Sequence, residues 1–278
     1  MAPAPHTAVK QELLVRYLDF WTPSALGSPR PATYLDSTVY GPPAAVRVFT
    51  EFADLLAGRQ LWMLVAGAAL PQASVDGLRV EAAPPDLAGA VGRGPVLAHL
   101  TAPVDAAVTA AVAAARAGEL LLVSEPDGAG ADRDVRQPLH DAGFDHVVAV
   151  ELVDDAGRAE LVRFATGSIK SLERFKDELW AVDQFAGVRY RDPTEPDAVP
   201  LDIANEPHPG PLRRALLVHL AGGQARTVNE LREYALTRTL FRPADVNRAL
   251  TPLLSRGALA RDPERGRLTG TTVIRLAR

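Results

Sequence analysis

Residues 32–43 read Ala-Thr-Tyr-Leu-Asp-Ser-Thr-Val-Tyr-Gly-Pro-Pro, and this stretch gives the clearest indication of the fold class. Its first five residues predict a buried strand that ends in an acid, Asp36, and its last residues begin a helix. Such a strand–loop–helix junction holds a cofactor in many α/β domains, because glycines let backbone N–H groups approach the ligand. This loop has one glycine, Gly41, followed by Pro42 and Pro43, which lack N–H donors. The stretch therefore predicts a fold more firmly than a bound cofactor.

The composition is that of a globular protein with a divided charge. The 278 residues are 47% hydrophobic and 23% charged, and they include no cysteine, which excludes disulfides and thiolate chemistry. The first residues carry no apolar leader and the longest apolar stretch is half a membrane span, so we expect a cytoplasmic protein without membrane contact. Residues 208–278 hold 13 basic and 5 acidic residues (net +8), whereas the remainder holds 17 and 29 (net −12). A polyanion is therefore expected at the C-terminal part.

The order of predicted elements indicates an α/β fold. Apolar residues at three- and four-residue spacing predict helices, and continuous apolar runs predict buried parallel strands. Helices are expected over 7–21 (ended by Thr22-Pro23), 44–57, 104–117, 132–142 and 168–182, and strands over 33–36, 60–66, 96–100, 119–124, 144–152 and 159–165. The last two strands are joined by a turn at 154–157 that suits a hairpin. This order describes a doubly wound, methyltransferase-like Rossmann sheet over residues 7–190.

A proline-rich stretch and a basic module follow the sheet. Residues 191–211 contain six prolines and predict an irregular linker. Residues 212–278 predict three helices: one over 212–220, one begun by a Thr227–Glu230 capping box, and one from Pro243 to 256. Strands over 258–261 and 267–268, joined by a turn, then predict a hairpin, and 271–276 completes the sheet. This is the plan of a winged helix-turn-helix.

In a DNA-binding winged helix the third helix enters the major groove and the wing reaches the phosphate backbone. The candidate nucleic-acid contacts are Arg242, Asn247, Arg248 and Thr251 on the helix, and Arg265 and Arg267 on the wing. Winged helices also serve as dimerisation or protein-docking modules, and scattered arginines also form ordinary solvated surfaces. Binding of DNA or RNA and binding of a protein partner therefore both stay open.

Three stretches of the chain resemble the three-Cys-motif partner family, which is named for its pairing with a three-cysteine protein. They are Lys10-Gln11-Glu12-Leu13-Leu14-Val15-Arg16-Tyr17-Leu18 with Trp21 and Tyr34-Leu35-Asp36; Phe164-Ala165-Thr166 with Lys170, Phe175-Lys176 and Trp180; and Thr239-Leu240-Phe241-Arg242-Pro243 with Asn247, Leu250, Leu253 and Gly257. The resemblance is that of a divergent member. It implies a methyltransferase-like Rossmann domain with a C-terminal winged-helix-like module.

The chain departs from that family at the cofactor site. The family has a Phe-Ala-Gly-Pro-Gly type of loop after the aspartate, whereas Thr38, Val39 and Tyr40 occupy the first three places here. A methyltransferase usually has a carboxylate at the end of its second strand that binds the cofactor ribose, and this chain has none there. The family also has an Asp-Pro pair at the end of its fourth strand, whereas this chain has no carboxylate before the corresponding proline. Asp36 and Gly41 remain the candidate cofactor-binding residues, and S-adenosylmethionine is the candidate cofactor.

His99 and Glu125 are candidates for catalytic roles. His99 ends a buried strand where a Rossmann site would lie, although histidines in such places are more often structural than catalytic. Glu125 follows a strand at its carboxyl end and, with Asp127, Gly128 and Gly130, would form either a ligand pocket or a solvated loop. The six histidines show no metal-ligand spacing, so no metal site is predicted.

Three functions are compatible with these patterns. The first is a catalytically degenerate, methyltransferase-like accessory or regulatory protein that binds nucleic acid or a protein partner; the lost glycines and carboxylates favour it. The second is a winged-helix transcriptional regulator with a ligand-sensing Rossmann body. The third is an active S-adenosylmethionine-dependent methyltransferase that uses Asp36, His99 and Glu125 in unusual roles.

Overall fold

The computed structural model describes residues 4–125, 135–182, 187–194 and 199–277. Their first part forms an α/β Rossmann-like fold around a nine-stranded sheet with the order β3-β2-β1-β4-β5-β7-β6-β8-β9. The first five strands in this order, β3, β2, β1, β4 and β5, are parallel to one another. The pairs β5–β7, β7–β6, β6–β8 and β8–β9 are antiparallel. The strands are β1 (Ala32–Asp36), β2 (Leu61–Val65), β3 (Leu78–Ala82), β4 (Val96–Thr101), β5 (Gly118–Ser124), β6 (His146–Asp154), β7 (Ala159–Thr166), β8 (Val188–Arg191) and β9 (Leu201–Asp202).

Helices cover both faces of the sheet, and each face has its own apolar core. The first core is packed by α1 (Pro5–Leu26), α2 (Gly41–Glu51), α3 (Ala53–Leu56) and α7 (Ile169–Ala181). The second core is packed by α4 (Leu87–Ala90), α5 (Ala106–Ala114) and α6 (Gln137–Asp141). Strands β1, β4 and β5 are buried along almost their whole length because helices cover both of their faces, and most of their residues are apolar.

Strand β3 was not predicted from the sequence. Leu78 and Val80 are half-buried and its other three residues are exposed, so the continuous apolar run that reveals a buried strand is missing. Helix α1 was predicted to end at Thr22-Pro23, which is wrong: Pro23 lies inside it, and the helix continues to Leu26. Ala25 and Leu26 are buried in the first core, and this packing offsets the hydrogen bond that a proline removes.

A smaller unit of three helices and a three-stranded antiparallel sheet follows. Its elements are α8 (Gly210–Leu220), β10 (Arg226–Thr227), α9 (Val228–Arg238), α10 (Asp245–Ser255), β11 (Leu259–Asp262) and β12 (Val273–Leu276), with the sheet order β10-β12-β11. The predicted Thr227–Glu230 capping box is confirmed. The predicted strand at 267–268 is wrong, because β11 pairs directly with β12 and residues 263–272 form the connection. The winged helix-turn-helix assignment stays a prediction.

The stretch 191–211, predicted as an irregular linker, contributes to the sheet. Arg191 ends β8, and Leu201 and Asp202 form β9, so part of this stretch extends the sheet beyond β6. Asp127, Gly128 and Gly130, predicted beside Glu125, lie outside the described residues. Among the described helices, none is both long and apolar enough to span a bilayer.

Candidate functional site

The candidate site lies at the carboxyl ends of β1 and β4. After β1 the chain builds β2 and β3 on one side of the sheet, and β4 and β5 on the other. Ligands of open α/β sheets bind at this kind of topological switch point. Asp36 of β1 and His99 of β4 are register partners at this point, and both side chains are fully buried.

The carboxylate of Asp36 is saturated by hydrogen bonds from the protein itself. One oxygen accepts from the backbone N–H of Thr38 at 2.7 Å and from its hydroxyl at 2.8 Å. The other accepts from the Tyr34 hydroxyl and from Nδ1 of His99, the latter at 3.0 Å. A carboxylate offers about four acceptor positions. None is left for a ligand.

His99 connects Asp36 to Tyr40 and so closes the site from the outside. In the neutral tautomer in which Nδ1 donates to the carboxylate, Nε2 accepts from the Tyr40 hydroxyl, 3.1 Å away. Burial, followed by the charges of Asp36 and Glu160, raises the pKa of Tyr40 far above its ordinary value, so the phenol keeps its proton. The ammonium of Lys10 lies 5.2 Å from the centre of the Tyr40 ring and pairs with Glu160. Tyr40 is therefore in contact with both His99 and Lys10.

The loop before α2 is shaped around Asp36. The N–H of Gly41 donates to the Thr38 hydroxyl at 2.9 Å, and a Cβ atom on Gly41 would lie 2.0 Å from an Asp36 oxygen. Glycine is thus required by close packing against the carboxylate. Pro42 and Pro43 lack N–H groups, so the first turn of α2 has lost donors with which helix N-termini bind anions.

Glu125 is not part of this cluster. It is exposed and lines a cleft with Ser124, Arg163 and residues that follow β4, and neither Asp36 nor His99 contributes to that cleft. A second cleft beside Ser37 contains Asp86 and Asp105. Both of these carboxylates cap short helices, by accepting the N–H groups of Gly89 and Ala107. Among the described residues, no group of three or more potential ligands is placed to hold a metal ion.

Two of the candidate nucleic-acid contacts are engaged inside the protein. Arg242 and Arg248 both form ion pairs with the buried Asp245, at 3.2 Å and 2.9 Å. Arg242 also donates to the carbonyl of Asn205 at 2.5 Å, and Arg248 to that of Pro207 at 2.7 Å. These arginines therefore attach the segment that contains Asn205 and Pro207, which precedes α8, to Asp245 at the start of α10.

Of the other four candidates, Thr251, Arg265 and Arg267 are exposed and Asn247 is half-buried. Thr251 is exposed and its hydroxyl donates to the carbonyl of Asn247, which is half-buried. Arg265 and Arg267 are exposed on the connection between β11 and β12. Arg261, which the sequence did not single out, donates to the carbonyls of Pro263 and Gly266 at 2.9 Å and also bonds those of Arg265 and Arg267. Arg261 therefore ties together the backbone of the loop on which the two exposed arginines lie.

Lys176 joins the two units, which sequence reasoning did not anticipate. Its fully buried ammonium donates to the carbonyls of Ala235 and Phe241 at 3.2 Å, and to those of Leu236 and Thr239 at 2.5 Å. Burial lowers the pKa of Lys176 to about 7. The carbonyls belong to the end of α9 and the segment after it, where a cation interacts favourably with a helix.

Trp180 strengthens the same interface, where its indole N–H donates to the carbonyl of Leu240 at 2.9 Å. A signal for this interface is present in the sequence. Lys176 falls among Leu172, Phe175 and Leu179 on the apolar face of α7, a position that ordinary surface lysines avoid.

Comparisons with known proteins leave the chain unassigned. No family model matches it, and no curated protein sequence matches it. Among solved structures, one match is titled "Crystal Structure of EvdMO1", with 13% identity and a TM-score of 0.33. That match covers 59% of this chain, and this chain spans 43% of the other.

Proposed function

We propose that this protein is a catalytically degenerate, methyltransferase-like accessory or regulatory protein whose C-terminal unit binds nucleic acid or a protein partner. The observation that carries the proposal is the saturated carboxylate of Asp36. A residue in the position of a cofactor ligand has become a structural residue, and Tyr40 occupies the approach to it.

The sheet supports the methyltransferase-like part of the proposal. The first seven strands of the sheet follow the order 3-2-1-4-5-7-6, and β7 runs antiparallel to both of its neighbours, β5 and β6. A hairpin of this kind is the usual close of the methyltransferase-type Rossmann sheet. Two of the stretches that resemble the three-Cys-motif partner family also meet, because Lys176 and Trp180 bond the carbonyls of residues 239–241.

The residues at the switch point do not fit S-adenosylmethionine. Asp36 has no acceptor position left, and Pro42 and Pro43 remove donors from the loop. The segment that follows β2 reads Ala-Gly-Ala-Ala-Leu-Pro and has no carboxylate for a ribose. These residues therefore provide no site from which S-adenosylmethionine would transfer a methyl group.

Calorimetric titration with S-adenosylhomocysteine tests the degenerate site. We expect no heat of binding at millimolar ligand, measured beside an active methyltransferase as the positive control. Binding with a micromolar dissociation constant that Asp36→Ala abolishes would contradict the proposal and favour the active enzyme.

For the C-terminal unit we propose a winged helix whose exposed wing loop contacts nucleic acid. Its support is the net charge of +8 over residues 208–278 and the exposure of Arg265 and Arg267 on a loop whose backbone Arg261 bonds. We expect fluorescence anisotropy with duplex DNA and with RNA to show affinity that falls steeply with salt, and Arg265→Ala/Arg267→Ala to reduce both the affinity and the salt slope. Salt-independent binding, or no binding, would leave a protein partner as the target.

A ligand-sensing transcriptional regulator is the second candidate. The observation that favours it is the Lys176–Trp180 interface, through which a change in the Rossmann-like unit would reach α9 and α10. This candidate requires one tight, sequence-specific operator, whereas the accessory protein requires only general affinity. Selection of binding sites from a random DNA pool distinguishes the two.

A further inference from the structure

Strand β3 ends the sheet, and the backbone groups that it turns outward can be identified. The N–H of Leu61 donates to the carbonyl of Gly77 at 2.9 Å, and the N–H of Ala83 donates to the carbonyl of Val65 at 2.8 Å. A parallel ladder uses every second residue, so residues 77, 79, 81 and 83 face β2. The backbone groups of Val80 and Ala82 therefore point to the outer edge, where no described strand pairs with them.

The side chains of β3 carry a self-complementary charge pattern. Arg79 and Glu81 lie two residues apart, on the same face of the sheet, and both are exposed. If two copies pair antiparallel about Val80, Arg79 of each copy lies opposite Glu81 of the other. Because Val80 forms the hydrogen-bonded pair, Arg79 and Glu81 form non-hydrogen-bonded pairs, in which opposed side chains are closest.

Arg79 is already oriented for such a contact. Its guanidinium lies over the ring of Trp62 on β2, 5.0 Å from the ring centre. Stacking holds the flat face of the guanidinium and leaves its N–H edge to bond a carboxylate.

The sheet is thinly covered at this end. The connection between β2 and β3 contains no helix, and α4, between β3 and β4, has four residues. Two large apolar side chains are about half exposed in the neighbouring segments: Leu55 (48%) on α3 and Leu70 (49%) in the connection after β2. Both side chains belong to segments that adjoin β2 in the chain, the strand that pairs with β3.

We infer that the β3 edge is the interface of a symmetric homodimer in which two sheets join antiparallel about Val80. Charged side chains on an edge strand also serve to prevent pairing. Charges of one sign would repel a second copy, but the alternating Arg79 and Glu81 attract one. A two-fold interface built from the same patch on both subunits is the commonest form of oligomer.

The test is the mass in solution, measured by light scattering and sedimentation equilibrium over a range of concentrations. We expect the wild-type chain to reach twice its 29.7 kDa mass, with a dissociation constant in the micromolar range for so small an interface. Val80→Pro is expected to be monomeric. The N–H of Val80 faces outward in the wild-type chain. Proline at this position therefore removes a hydrogen bond of the proposed dimer but removes no hydrogen bond between β3 and β2.

Charge reversal provides a second and independent reading. Arg79→Glu alone, or Glu81→Arg alone, places side chains of like charge opposite each other at both symmetry-related positions of the dimer. Each substitution is expected to raise the dissociation constant of the dimer about tenfold. The double variant Arg79→Glu/Glu81→Arg restores both pairs and the dimer. Arg214→Glu, at an exposed position on α8, is the matched control and is expected to leave the mass unchanged.

Two results would overturn the inference. One is a monomeric wild-type chain at about 100 µM, a concentration at which a micromolar dimer is assembled. The other is a dissociation constant that stays at the wild-type value in Val80→Pro, Arg79→Glu and Glu81→Arg. Far-UV circular dichroism of each variant confirms that a change in mass does not come from unfolding.

Discussion

Asp36 and Lys176 are both fully buried ionisable side chains, but their partners differ in kind. Asp36 is held by its near neighbours and by one residue of the adjacent strand, all within the Rossmann-like unit. Lys176 is held by backbone carbonyls of the other unit, 59 to 65 residues further along the chain. The first arrangement closes a site, and the second joins two units.

This comparison shows that a buried charge is not by itself a sign of catalysis. Active sites perturb ionisable groups, but structural networks do so as well. What separates the two roles is whether any hydrogen-bonding position is left for a ligand. Asp36 has none, and the ammonium of Lys176 meets four carbonyls with three donors. Substitution of each residue separates these two roles.

Lys176→Met is expected to have the largest effect on stability. Methionine fills much of the space of lysine but leaves the carbonyls of Leu236 and Thr239 without their donor in a buried interface. We expect a loss of about 4 kcal/mol in the free energy of unfolding, measured by urea denaturation. Lys170→Met is the control, because Lys170 is exposed at the start of the same helix and should change stability by less than about 0.5 kcal/mol. Equal effects of the two variants would contradict a joining role for Lys176.

Asp36→Ala is expected to destabilise the protein by about 3 kcal/mol. It removes the acceptor of the Tyr34 hydroxyl, the His99 ring and the Thr38 N–H at once, and all three lie in a buried site. Asp36→Asn keeps the shape and two acceptor positions, so it should lose about half as much. A stable Asp36→Ala variant would instead mean that the carboxylate is kept for a ligand, and it would reopen the case for cofactor binding.

The pH dependence of stability should report on Lys176. Its pKa is about 7 in the folded protein against about 10.4 in an unfolded chain, so between these values the unfolded state binds more protons. Stability then rises with pH, here from about pH 7 to pH 10, by up to about 1.4 kcal/mol per unit; below pH 7 this contribution is constant. The difference between wild type and Lys176→Met across this range isolates the lysine. A flat difference would contradict the lowered pKa.

Features set by local sequence were predicted correctly. The capping box at Thr227, the β6–β7 hairpin and the strand that ends at Asp36 depend on residues close in the chain. Strand β3 was missed because it lies at the edge of the sheet and lacks a continuous apolar run. The extension of α1 through Pro23 was missed because tertiary packing overrides the local preference of proline.

The candidate sites depended on long-range contacts, which explains why they were only partly predicted. Asp36 and His99 were named separately, but their pairing follows from the register of β1 and β4. Arg242 and Arg248 had the residue type and helical position of nucleic-acid contacts. Their ion pairs with Asp245 and their bonds to residues 205 and 207 follow from how the preceding stretch lies against α10.

The smallest expected effects distinguish the two groups of arginines in the C-terminal unit. Arg242→Ala and Arg248→Ala should each lower stability by about 1–2 kcal/mol, because they take a partner from the buried Asp245. Arg265→Ala and Arg267→Ala should change it by less than about 0.5 kcal/mol, because both side chains are exposed. Thermal denaturation of the four variants measures this difference, and the substitution is the same in each. If Arg265→Ala and Arg267→Ala also destabilise the protein, these two arginines support the fold. A reduced affinity of the two variants for nucleic acid would then no longer identify Arg265 and Arg267 as contacts.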